Sequence, residues 1–360
     1  MISAIAGLAL TILSAPPTRT DTITDSVFVA SNRLRSAQRF TNIVTDSLWY
    51  GVYVVRVVVS GTVRLEVARL QVDQVDSVAL DEGEWRRRLQ AAAQRDTSAE
   101  GATLLFVHGY SSNPATAINQ GVQVKIRGDH AGPLVLFLWP ANDRSRAVRA
   151  PLAAYHEDAD AAAKSSASFA QVIREVHDAA PGAVLIAHSM GTRIALEAIV
   201  TDSAMRARLV ARPLRAIGIF SPDVGADRFR AEFAPVLPAL GRRIAMYGAT
   251  TDYLLGASAL VNRERRASGI TVHGASLPGI ELIDDTRGAR GEPAIVTLVS
   301  PRHGVRWASA ALADFFDVVV AGAPASCRVA AGAADSVSDG RWRLKPGLRP
   351  IAALLADCLR

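Results

Sequence analysis

Val184-Leu185-Ile186-Ala187-His188-Ser189-Met190-Gly191-Thr192-Arg193-Ile194-Ala195-Leu196-Glu197-Ala198-Ile199 is the stretch on which the reading of this chain turns. A continuous apolar run ends at Ala187, Ser189 sits with a small residue two positions to either side, and an amphipathic helical pattern follows at once. Strand, sharp turn and helix in that order form an elbow that presents a serine hydroxyl at the edge of a parallel sheet. Small flanking residues let the strand and helix approach closely, and Ala187 stands where a glycine is usual. The bland alternative is that Ser189 merely caps the helix.

Working outward, short apolar runs recur at Leu104–Val107, Leu134–Leu138, Ala216–Phe220, Ile244–Tyr247 and Ile295–Val299. Runs of this kind, without a polar face, are strands covered on both sides by crossover helices. Helical patterns over 113–128, 152–178, 190–204, 226–240 and 305–320 alternate with them, which predicts a mostly parallel, doubly wound α/β sheet. Ahead of this core, Trp49 to Val75 is dense in Val, Tyr and Leu and is interrupted by Ser60-Gly61, which predicts a β-hairpin or meander. Trp85, Leu89, Ala92 and Ala93 predict a helix over 82–95. The chain divides into an apolar leader (1–20), an N-terminal β-rich extension with its helix (21–100), a core (101–322) and a C-terminal extension (323–360). The β-rich segment either extends the sheet or covers its edge. Ala321–Ala334 reads as a linker, and Trp342–Leu359 as a helix or flap.

The 360 residues are 49% hydrophobic and 21% charged, a balance that excludes wholesale disorder and a polytopic membrane protein. The net charge is +6, but only three of forty basic residues are lysine (Lys125, Lys164, Lys345) and the arginines are scattered. Nucleic-acid binding wants clustered charge and a recognisable module, so no nucleic-acid partner is expected. Met1 to Ala15 is apolar apart from Ser3, Thr11 and Ser14, too short for a stable membrane span and suited to the core of a signal peptide. No Lys or Arg precedes it, and Leu13 is large for the position before a cleavage site. Export to a periplasmic or extracellular space is expected, with a cytoplasmic location as the alternative. Cys327 and Cys358 cannot form a zinc site alone; they pair if the chain is exported and otherwise stand as two thiols. No oligomeric state follows from the sequence.

A serine hydroxyl needs a base, normally a histidine oriented by a carboxylate. In a fold of this type the order is serine, acid, histidine, and of seven histidines only His273 and His303 lie downstream of Ser189. His303 follows the last apolar run in Val299-Ser300-Pro301-Arg302-His303-Gly304 and is the expected base; His273 lies away from a strand-to-helix crossing. Asp252, five residues beyond Tyr247, is the expected acid. Asp223, after Phe220, is the alternative, with Asp284 and Asp285 behind it. Two backbone N–H groups, of Met190 and of Tyr110 in His108-Gly109-Tyr110, are placed to bind an oxyanion. His108 is expected to be a structural hydrogen-bond partner and His188 to pack beside the elbow. The scheme requires no metal and no organic cofactor. Loops 111–125, 141–156 and 223–240 would wall the pocket. Phe229, Phe233, Tyr253, Leu254 and Leu255 line or lid it with Arg228 and Arg230 at the rim, or else form ordinary helix faces.

His108-Gly109-Tyr110, Leu138-Trp139-Pro140, Ala187-His188-Ser189-Met190-Gly191, Ser221-Pro222-Asp223, Asp252 and His303 together resemble the alpha/beta-hydrolase superfamily. More narrowly they look like a bacterial esterase/lipase-like subfamily of largely unknown function. Its pattern also has an aromatic-x-alanine-threonine-x-arginine segment similar to Phe28–Arg33, and a tyrosine and an aspartate like Tyr155 and Asp158. Ser111 stands where an asparagine is usual, and Leu138 and Ala141 also depart from that pattern. The resemblance covers about residues 27 to 320 and implies a serine hydrolase without naming a substrate. The resulting expectation is hydrolysis of a small-molecule carboxylic ester through an acyl-Ser189 intermediate. The rivals are an acyltransferase using the same triad and a non-catalytic, envelope-associated binding protein.

Overall fold

In a computed structural model the described residues are 20–36, 39–60, 69–95, 101–180, 182–287, 310–345 and 358. Among these residues, eleven strands form one sheet in the order β10-β11-β9-β8-β7-β6-β4-β5-β1-β2-β3. Its centre comprises β4 (Leu104–Val107), β5 (Leu134–Phe137), β6 (Val184–His188), β7 (Ala216–Phe220), β8 (Ile244–Gly248) and β9 (Glu281–Asp284). Neighbours among these six pair in parallel. Strands β4 to β8 are buried throughout, as their unbroken apolar composition requires when helices cover both faces. One large apolar cluster fills each side of the sheet.

The N-terminal segment extends the sheet. Its strands are β1 (Thr20–Ser36), β2 (Arg39–Ser60) and β3 (Arg69–Leu80). β1 pairs in parallel with β5, while β2 and β3 follow as antiparallel neighbours. The helix α1 (Glu82–Ala93) is capped by the Asp81 side chain and buries Trp85 and Leu89. The Trp85 ring packs on Phe28 of β1 and Tyr50 of β2, so the extension shares the core of the parallel sheet.

At the other edge, β11 (Arg341–Leu344) runs parallel to β9, and β10 (Ala334–Ser338) is antiparallel to β11. The stretch 321–334, read from sequence as a linker, is instead largely folded, with Ala323, Cys327, Ala331 and Ala334 buried. The reason is local cross-linking. Cys327 is disulfide-bonded to Cys358. Arg328, fully buried, donates to both Asp314 oxygens at 2.6 and 3.0 Å, and the Tyr247 hydroxyl donates to the same carboxylate at 2.8 Å. Trp342, expected to begin a helix or flap, lies in β11. Strand β9 was hidden in the sequence; the expected strand 295–299 lies outside the described residues. No helix among the described residues is long and apolar enough to cross a membrane.

Between the strands run α2 (Pro114–Arg127), α3 (Arg144–Arg149), α4 (Pro151–Ala179), α5 (Gly191–Leu196), α6 (Ser203–Ala211), α7 (Ala226–Arg228), α8 (Tyr253–Asn262) and α9 (Ile270–His273). The parallel register brings the carboxyl ends of β4, β6, β7, β8 and β9 to one edge, where all the chemistry-bearing loops emerge.

Candidate active site

Ser189 follows β6 directly and holds φ at +52°, the left-handed region that non-glycine residues seldom occupy. Its N–H donates to the Phe220 carbonyl at 2.9 Å, continuing the β6–β7 pairing. Its carbonyl accepts from the Thr192 N–H at 3.0 Å and the Thr192 hydroxyl at 2.6 Å, which starts α5. The turn is thus fixed from both ends. Strain of this kind persists only where the surroundings over-determine it. A Cβ on Gly191 would lie 2.4 Å from the His108 carbonyl oxygen, and one on Gly109 would lie 2.9 Å from Ser189 Cβ. Glycine is therefore dictated at both positions by close approach of the elbow to the end of β4.

The loop after β4 is braced by two buried groups of opposite charge. Arg33, at the far end of β1, donates through Nη2 to the carbonyls of Ser112 and Ala141, each at 3.0 Å, and through Nη1 to Asn42 Oδ1 at 2.9 Å. Burial outweighs the attraction of Asp158 and pulls its pKa down to about 10. Asp158, on α4, accepts from the Ser111 N–H at 3.0 Å, the Asn142 N–H at 2.7 Å and Asn142 Nδ2 at 2.8 Å. Desolvation pushes its carboxyl up to about 6, against those donors. Ser111 has φ +56°, so the backbone reverses just after Tyr110. Among the described residues, the N–H groups of Tyr110 and Met190 donate no hydrogen bond.

His108 is fully buried, stacks on Trp139 with the rings 8° from parallel, and places Nδ1 3.0 Å from the Gly109 carbonyl. The Trp139 indole N–H donates to the His108 carbonyl at 2.8 Å. Burial, helped by Arg33, drives the His108 pKa down to about 3, so the ring is neutral and structural. His188 is buried beside the elbow, its ring against Gly109.

Four carboxylates emerge beyond Ser189. Asp252, at the end of the loop after β8, is buried and caps α8, its Oδ1 accepting the Leu255 N–H at 3.0 Å. Asp223, after β7, is held by Arg193 at 3.0 Å, Arg266 at 3.2 Å, the Tyr155 hydroxyl at 3.0 Å and the Ser258 hydroxyl. Asp284 takes Arg343 Nε at 2.8 Å. Asp285 is buried, and desolvation, then Asp284 and Asp314, push its carboxyl up to about 8. His273 ends α9 and is exposed. His303 lies outside the described residues.

A cleft of about 270 Å³ opens over this edge, lined by Ser189, Tyr110, Leu152, Tyr155, Leu254 and Leu255 among others. Leu254 and Leu255 line it as expected from sequence. Phe229 and Phe233 do not: both are buried in the core, and Arg228 faces a second, more polar hollow with Arg193 and Arg266. Arg193, Ser258 and Asn262, which join Tyr155 and Asp223 in one hydrogen-bonded cluster, were not singled out in the sequence. They converge from α5 and α8, and nothing in their local spacing announces it. No group of metal-ligating side chains occurs among the described residues.

A mostly parallel sheet with a strained serine between a central strand and its following helix defines an α/β hydrolase. The chain belongs to the family described as alpha/beta hydrolase of unknown function (DUF900), whose profile matches residues 85–280. No curated protein and no solved structure matches it.

Proposed function

We propose that the protein is a serine hydrolase that cleaves a carboxylic ester by way of an acyl-Ser189 intermediate. The observation that carries this reading is the left-handed Ser189, 2% exposed, at the carboxyl end of β6 and lining an apolar cleft. In this scheme His303 removes the hydroxyl proton as Ser189 Oγ attacks the acyl carbon, then returns it to the leaving alcohol. Asp252 orients the imidazole and stabilises its charge. Asp252 is favoured over Asp223 because two arginines and two hydroxyls already engage the Asp223 carboxylate. Tyr110 and Met190 supply the N–H groups for the tetrahedral oxyanion. Water, activated by the same histidine, releases the acid.

The disulfide between Cys327 and Cys358 supports export as part of this reading, because such bonds persist in oxidising compartments. The direct test is labelling with a fluorophosphonate probe together with turnover of short p-nitrophenyl esters. Wild-type protein labels and turns over, and Ser189→Ala does neither. Turnover by Ser189→Ala at the wild-type rate, or wild-type protein that neither labels nor turns over, refutes the assignment. Transfer to added alcohols in preference to water would make the enzyme an acyltransferase.

A further inference from the structure

Helix α8 is unusual for a surface helix. Its sequence, Tyr253-Leu254-Leu255-Gly256-Ala257-Ser258-Ala259-Leu260-Val261-Asn262, contains no charged residue. Only Leu255 and Ser258 of it are buried. Leu260 is 82% exposed, and Tyr253, Leu254 and Val261 are exposed as well. Leu254, Leu255, Ala257 and Val261 form one wall of the cleft over Ser189, and Pro151 and Leu152 of α4 belong to the same lining. Four residues before Leu152, on α3 and across the non-helical Ala150, Val148 is 73% exposed. Exposed apolar side chains therefore follow the cleft lining in sequence on both sides, on α3–α4 and on α8. Single exposed apolar side chains are ordinary, but several of them flanking an opening mark an interaction site.

The charge around this rim points to what it meets. Arg263 closes the carboxyl end of α8, Arg265 follows, and Arg149 ends α3 on the other lip. All three are exposed, and none forms an ion pair among the described residues. Apolar side chains flanked by exposed arginines on both lips match a bilayer surface, in which the former enter the acyl layer and the latter meet anionic headgroups.

We propose that the two lips, Val148 and Leu152 on one side and Tyr253, Leu254, Leu260 and Val261 on the other, seat on an anionic lipid surface. The mouth of the cleft then opens into the acyl layer, and a lipid-borne ester reaches Ser189 without crossing water. That last step rests on the acyl-transfer reading; the docking does not.

The test uses full-length Ser189→Ala protein, so binding is read without turnover, and mixed phosphatidylglycerol/phosphatidylcholine vesicles in a co-sedimentation assay. Binding is expected to weaken as salt rises. It is expected to fall about tenfold or more when Val148→Asp and Leu260→Asp are added, since both side chains leave apolar contact and acquire repelled charge. The same pair of substitutions in the wild-type background leaves fluorophosphonate labelling in solution unchanged, because neither residue lines the cleft. Absence of vesicle binding, or binding unaffected by the substitutions, overturns the proposal. Equal binding to phosphatidylcholine alone overturns the anionic assignment. A solution dimer that the substitutions dissociate, without vesicle binding, assigns the face to a second copy of the chain. Labelling without docking leaves the hydrolase reading intact, and docking without labelling removes that reading alone.

Discussion

The α-carbon of Gly191 faces the carbonyl of His108 so closely that a methyl group there would lie 2.4 Å from the oxygen, and 2.8 Å from that of Val107. Both obstacles are backbone at the end of β4, so neither moves cheaply. Gly191→Ala is expected to destabilise the fold by about 1–3 kcal/mol, as overpacking does, despite the gain alanine normally brings to a helix. Ala187→Gly, on the strand side of the same elbow, meets no clash and is expected to cost about 0.5–1 kcal/mol through chain entropy and about 0.8 kcal/mol for its buried methyl. Urea unfolding of the two variants checks both; a Gly191→Ala variant as stable as the wild type would show that the close approach is not what fixes glycine at 191.

The elbow could be read in the sequence because everything that makes it is contiguous: apolar strand, serine, small residue and helix fall within sixteen positions. Strands β4 to β8 were legible for the same reason, since burial on both faces leaves no polar residue to confuse the pattern. Strand β9 was not. Its ends, Glu281 and Asp284, are charged, and the arginines that make their burial tolerable, Arg243, Arg328 and Arg343, come from distant elements. Helix α8 shows a related limit: an apolar helix without a polar face looks like core, and only the fold reveals that most of it is exposed. The expected base, His303, falls outside the described residues, so its partnership with Ser189 and Asp252 remains part of the proposal.

His108 gives the fold an acid-sensitive element. An ordinary histidine titrates at 6.5, whereas burial and Arg33 hold this one at about 3. The folded state therefore binds the proton less readily than the unfolded chain. The stability His108 contributes is fully present above pH 6.5 and is lost as pH falls toward 3, with a slope of about 1.4 kcal/mol per pH unit in between. His108→Gln is expected to be less stable at pH 7 but to show a shallower loss between pH 6 and pH 4, by about one proton. Urea unfolding across that range measures it, and identical slopes would mean that the ring is protonated in the native protein.

Arg33 joins the first strand to both loops that frame the cleft, through the carbonyls of Ser112 and Ala141. Arg33→Met is expected to cost about 3 kcal/mol or more, because buried acceptors lose a charged donor and Asp158 loses its nearest compensating cation. Arg33→Lys is expected to recover little, since one ammonium cannot reproduce a planar fork that reaches both carbonyls and Asn42. If the loop carrying Tyr110 helps bind the oxyanion, both variants should also slow fluorophosphonate labelling under conditions where they remain folded. A lysine variant with wild-type stability and labelling rate would reduce Arg33 to a simple counter-charge.

The disulfide between Cys327 and Cys358 closes a loop over a sequence separation of 31 and sits one residue before the buried Arg328. Chain-entropy reasoning for a loop of that length gives about 3–4 kcal/mol of stabilisation, lost on reduction or in Cys358→Ser. Because Arg328 engages Asp314, and Asp314 the Tyr247 hydroxyl of β8, loosening should spread first along the β8–β9–β11 edge, away from the elbow. Hydrogen exchange on the reduced protein should show faster exchange in β9, β10 and β11, with β4 and β6 still protected. Uniform deprotection would mean that the bond supports the whole sheet, and unchanged exchange that Arg328 and its carboxylates suffice without it.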